Sequence, residues 1–166
     1  MSESMATTLK TIILRELRAL DREIAAYPDD ASLWTTPAGA PNPAGNLVLH
    51  LAGNLRHFIG ATLGETGYVR DRDSEFSSKG LTRDELRAIV ASAIAELSDA
   101  LERITDAQLS GEYPLPIQER RLGASEFLVH LAVHLGYHLG QIDYHRRLST
   151  SSSASVDTMS VRELGS

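Results

Sequence analysis

The chain has 166 residues, no cysteine and a net charge of −6. That length suits one domain with its own core, and the missing cysteines exclude disulfides, thiolate metal sites and a cysteine nucleophile. The acidic balance, with no long basic run, argues against a nucleic-acid partner. No apolar run approaches the length of a membrane span. The start, MSESMATTLK, lacks the basic and apolar segments of a signal peptide. A cytoplasmic protein with no membrane partner is expected.

The first predicted helix covers about 6–26. Leu9, Ile12, Ile13, Leu17, Leu20 and Ile24 recur at helical spacing, with Lys10, Arg15, Arg18, Arg22 and Glu23 largely on other faces. A long connection, 28–45, carries Pro28, Pro37, Pro41 and Pro43 and the single tryptophan, Trp34. Trp34 either caps the end of the core or walls a pocket. The second helix is placed from near Pro43, with Asn42 as its cap, to about Leu63. Leu47, Leu51, Leu55 and Phe58 form its apolar stripe, and Asn46, His50, Asn54 and His57 a polar stripe beside it.

Residues 64–80 read as a charged loop in which Arg70, Asp71, Arg72, Asp73 and Glu75 alternate in sign. The plain reading is a solvated loop with weak local ion pairs. The sharper one has Arg70 or Arg72 holding an anionic group of a substrate. The third helix opens on a capping box, Thr82 with Glu85, and a staple, Leu81 with Leu86, and runs to about Ile104 as scaffold. The connection 105–122 holds Tyr113-Pro114-Leu115-Pro116, an extended strip or small hairpin arm. Gly123 opens the fourth helix, which runs to about Leu148, and a serine-rich tail, 149–166, is expected to be mobile. The sum is an all-α four-helix bundle with long crossover connections, occupying 1–148.

The fourth helix holds four of the six histidines. At about 100° per residue, His130, His134, His138, Gln141 and His145 share a stripe roughly 80° wide. Leu128, Leu131, Leu135, Leu139 and Ile142 lie beside it. Imidazoles turned toward a core need partners, and a divalent metal satisfies two histidines at i and i+4 with bonds of about 2.0–2.1 Å. A pair at i and i+8 is about 12 Å apart along the axis. His134 therefore pairs with His130 or His138, and His50 or His57 supplies a third ligand. The plain alternative is a set of hydrogen-bonded histidines partnered by Asn46, Asn54 and Gln141.

The stretches NLVLHLAGNLRHFIG (46–60), VRDRDSEF (69–76) and HLGYHLGQI (134–142) resemble the DinB/YfiT-like superfamily of metal-dependent four-helix bundles. They are most similar to a branch with HLAGN, RDRDxEF and YHxGQI motifs. The resemblance implies one metal-binding histidine on the second helix, His50, and two on the fourth, His134 and His138, with a fourth position open. It leaves His57, His130 and His145 outside the triad. Asn54 and Gln141 would orient ligands, and Trp34, His57, His130 and Tyr137 would line the pocket. Arg70 and Arg72 stay candidates for an anion contact.

The resemblance further implies a metal-dependent enzyme acting on a small molecule, either a thiol S-transferase using a low-molecular-weight thiol or a hydrolase. Zinc or nickel would fill the site, with iron or manganese as further candidates. A general base is not identifiable from sequence; His57, His130 or a loop carboxylate such as Glu75 could serve. Bundles of this kind pair through a helix face, so a homodimer is expected. The competing reading is a non-catalytic dimeric bundle whose histidines form a structural, vestigial or ligand-sensing metal site.

Overall fold

The structure, a computed structural model, describes residues 4–164. Residues 1–3 and 165–166, the outer ends of the predicted domain and tail, lie outside it. The first helix, α1, spans Met5–Ala25 and is capped by the Ser4 hydroxyl, which accepts from the Thr7 amide at 3.2 Å. Leu9, Ile13, Leu17, Leu20 and Ile24 are buried. Each such side chain contributes about 1.5–3 kcal/mol when fully removed from water, which is why this face sets how α1 packs. The charged residues do not all face outward as expected. Arg15, Glu16 and Glu23 are buried too, and Glu23 Oε2 accepts from Arg146 Nε at 2.6 Å with neither side chain exposed. The buried opposite charge from the last helix makes that inward position possible.

The connection after α1 contains a short 3₁₀ turn, Ala31–Trp34. The Trp34 ring lies on Gly45, where an added Cβ would stand 2.6 Å from it, and Trp34 Nε1 donates to the Leu81 carbonyl at 2.8 Å. Helix α2 spans Ala44–Leu55. Its N-cap is Pro43, with no side-chain cap bond, so Asn42 does not cap it; the extended ψ of Pro43 (160°) puts the first helical residue one later. The helix continues as a π-helical stretch, Arg56–Ala61, and a last turn, α3, Thr62–Gly64. The π stretch is braced by Arg56 Nε on Glu96 Oε2 at 2.8 Å.

The charged segment is not all loop. Helix α4 spans Arg72–Ser77 and starts where Asp71 Oδ1 accepts from the Ser74 amide at 3.0 Å. Helix α5 spans Arg83–Arg103 and opens on the expected capping box, with both Thr82 and Glu85 bonds present. A second box, Thr105 with Gln108, opens the four-residue α6, Asp106–Leu109. The predicted arm survives as two isolated bridges, Glu112 with Gly123 and Ile117 with Arg120. Helix α7 spans Ala124–Thr150 and buries Leu128, Leu131, Leu135, Leu139 and Ile142.

Helices α1 and α2 each pack on both α5 and α7. The described residues are all-helical with no strand. No helix among them is long and apolar enough to cross a membrane. The serine-rich segment runs back along α1 and α7. Arg22 Nε donates to Val156 O at 3.1 Å, Arg18 Nε meets Glu163 Oε2 at 2.8 Å, and Arg146 Nη2 donates to Ala154 O at 2.9 Å.

Candidate metal centre

The packing of α2 on α7 brings His50 against His134 and His138. The three offer one nitrogen each within 4.8 Å of one another. Ring centroids are 5.2 Å (His50–His134), 5.4 Å (His50–His138) and 4.6 Å (His134–His138) apart, with ring planes nearly perpendicular. His134 and His138 stand one turn apart on one helix, and His50 faces them from the other. The Nε2 atoms of His50 and His134 are 3.3 Å apart. Two nitrogens bound to one tetrahedral metal at about 2.0–2.1 Å would sit about 3.3–3.4 Å apart.

Partners behind the imidazoles fix which nitrogen is free. His50 Nδ1 is 3.0 Å from Glu75 Oε2 and 3.3 Å from Arg70 Nη2; the shorter contact is to a carboxylate, which only accepts, so Nδ1 carries the proton and Nε2 holds its lone pair forward. His138 Nδ1 donates in the same way to Gln141 Oε1 at 2.6 Å. The Glu75 carboxylate is itself held by Arg70, through Nε at 2.7 Å and Nη2 at 2.8 Å. Burial pushes the Glu75 carboxyl up, but the bonds from Arg70 and His50 outweigh it and hold it below the usual carboxylate range. Asn46 Nδ2 fixes the α4 backbone by donating to Glu75 O at 2.8 Å and Ser78 O at 2.9 Å. Gly53 makes room, since a Cβ there would overlap Glu75 Oε1.

These residues fit a divalent metal. Two imidazoles have Nδ1 tied to an acceptor and Nε2 free, and a third, His134, has a buried Nδ1 with no partner while its Nε2 faces that of His50. Burial, followed by the neighbouring His138 and His50, pushes the His134 imidazole down to about 4, so it stays neutral and able to ligate at physiological pH.

The other predicted site residues are more scattered. Gln141 does orient His138, but Asn54 reaches none of the three imidazoles and its Oδ1 is buried without a partner. His57 lies in the π stretch against Phe58, ring centroids 4.7 Å apart. His130 is exposed, stacked 6.2 Å from the His134 ring. Tyr137 is exposed, 5.2 Å from the His138 ring. Trp34 sits on Gly45 rather than beside the histidines. Arg70 spends its charge on Glu75, and exposed Arg72 lies over Phe76, 5.1 Å from its centroid. His145 is buried: Nε2 donates to Thr35 O at 2.9 Å and Nδ1 accepts from Tyr27 Oη at 2.8 Å, a neutral tautomer. The place of Glu75 behind His50 is the feature that spacing does not reveal. The signals for it were its place in the VRDRDSEF stretch and an aspartate before it able to cap a short helix.

Desolvation lowers His57, His134, His138 and His145 together. A histidine with a depressed folded pKa binds its proton more readily when unfolded, so its stabilising contribution is present above its unfolded value and lost as pH falls. Metal-free protein is therefore expected to lose stability as pH falls from the ordinary imidazole range, near 6.5, toward about 4, the value His134 reaches. Thermal melts of chelator-treated protein across pH 8 to about 5 check this; a flat melting temperature contradicts it.

Three imidazoles converging from two helices of an all-helical fold define a candidate metal centre. The chain belongs to the DinB superfamily, which matches residues 13–142. That span contains His50, Glu75, His134, His138 and Gln141. Comparison with curated proteins and with solved structures gives no match.

Proposed function

We propose that this chain is a metal-dependent enzyme on a DinB/YfiT-like four-helix bundle, with His50, His134 and His138 holding zinc or nickel. Its activity would be transfer of a low-molecular-weight thiol to a small substrate, or hydrolysis of one. The observation that carries the reading is the pair of fixed tautomers, with His50 tied to Glu75 and His138 to Gln141, so that both Nε2 lone pairs point away from their supports.

A divalent metal held by neutral imidazoles lowers the pKa of a bound thiol or water and supplies a nucleophile at neutral pH. The chain's own groups set the stage for that. Glu75 and Arg70 cancel each other's charge behind His50, so the protein adds little net charge of its own to the centre. Any sulfur must come from the substrate, because the chain has no cysteine. Arg70, engaged with Glu75, is poorly placed to take a substrate anion, which leaves Arg72 as the freer guanidinium near this end of α2.

The test is a rate assay of zinc- or nickel-loaded protein with a small thiol and an aromatic chloride, and with simple esters. Turnover at least about 10²-fold above background, lost in His138→Ala, is the expected result. Metal-loaded protein with no rate above background for any pair would instead favour a structural or ligand-sensing centre.

A further inference from the structure

A cavity of about 520 Å³ opens directly beside His138 and Gln141, between the loop 37–42 and α7. That volume is within the range that takes a small organic molecule. Its walls are Leu47, Tyr137, Tyr144 and Leu148 with the alanines and prolines of the loop, and no Lys, Arg, Asp or Glu side chain lines it. His145 also borders it, but both ring nitrogens are committed, one to Thr35 O and one to Tyr27 Oη. It brings no charge. Arg72 and Asp73, with Phe76, line a neighbouring open hollow that borders the cavity at Asn42. The polar groups at the cavity wall are uncharged: the Asn42 amide, the Tyr137 and Tyr144 hydroxyls and, next to His138, the Gln141 amide. Gln141 Oε1 accepts from His138, which leaves Gln141 Nε2 without a protein partner among the described residues.

Resting on the enzyme reading above, we infer that the molecule entering this cavity is an uncharged, largely apolar organic substrate, aromatic or similarly flat, with a hydrogen-bond acceptor for Gln141. An ionised group placed there would lose its water and find no counter-charge among the side chains that line the cavity, so the probes below are titrated into metal-free protein. A flat apolar body gains contact with Tyr137, Tyr144 and Leu148.

Two probes with one aromatic body separate charge from shape: N-phenyl-1-naphthylamine, which is neutral, and 8-anilinonaphthalene-1-sulfonate. Fluorescence titration of the full chain is expected to give one neutral probe per chain, with the sulfonate at least about tenfold weaker. Leu148 is 69% exposed, so substitutions there leave the core alone. Leu148→Glu is expected to weaken the neutral probe about tenfold and Leu148→Gln much less, since only the first adds charge. His134→Ala, which removes a metal ligand outside the cavity wall, is expected to keep neutral-probe binding. Equal binding of the two probes, or equal effects of Glu and Gln at 148, overturns the inference. With metal present in the wild type, that failure leaves the metal centre standing. A preference for the neutral probe in a chain that binds no metal overturns the enzyme reading and leaves a neutral-ligand cavity.

Discussion

Glu75→Ala is expected to weaken metal binding about ten- to a hundredfold, the usual effect of removing the partner behind a ligating histidine. Glu75 is a positioning residue: it touches His50 Nδ1 and selects the tautomer that leaves Nε2 free. Without it the His50 ring can rotate or take the other tautomer, and either costs affinity. Arg70 would be left half-buried without its partner, so Glu75→Ala combined with Arg70→Leu separates loss of orientation from a stranded charge. Glu75→Gln keeps an acceptor for His50 and is expected to lose less. Gly53→Ala reaches the same end by sterics, because its methyl would occupy the place of Glu75 Oε1. Competition against a chelating dye reads all four. Wild-type affinity in both Glu75→Ala and Gly53→Ala would show that the carboxylate does not set the centre.

The second large effect lies at the other end of α7. Glu23→Ala leaves Arg146 fully buried beside only Asp143 and a backbone carbonyl. Breaking a buried pair in this way costs about 3–5 kcal/mol. For a chain of this size that lowers the melting temperature by about 6–20 °C. Replacing both partners, Glu23→Leu with Arg146→Met, is expected to recover much of the loss, because the apolar pair needs no counter-charge. Thermal melts of the single and double variants decide it. A Glu23→Ala protein melting with the wild type would mean that water reaches the pair.

The long helices were legible because their signals are local. The Thr82–Glu85 box marks the start of α5, and the leucines of α7 mark its buried face. The burial of Glu23 was not legible, because an apolar period sets it off the stripe without showing its partner, Arg146, 123 residues away. The same limit applies at the histidines. Spacing left His130 against His138 and His50 against His57 open; the family resemblance, not geometry, chose among them. In the fold His130 sits at the exposed edge and His57 lies in the π stretch, a backbone irregularity with no mark in the apolar pattern. Helix α4 is too short to show a period, so Glu75 was read as a loop carboxylate and a candidate base, not as the group behind His50. Arg70 looked free for the same reason, since an alternating run of charges does not say which pair folds inward.

The proposed function turns on a metal held by His50, His134 and His138. The most direct test is elemental mass spectrometry of untagged protein purified without chelator, beside His134→Ala. One divalent metal per chain in the wild type and none in the variant is the expected result. A wild type that carries no metal, and takes up none when titrated with zinc, nickel, iron and manganese, would contradict it.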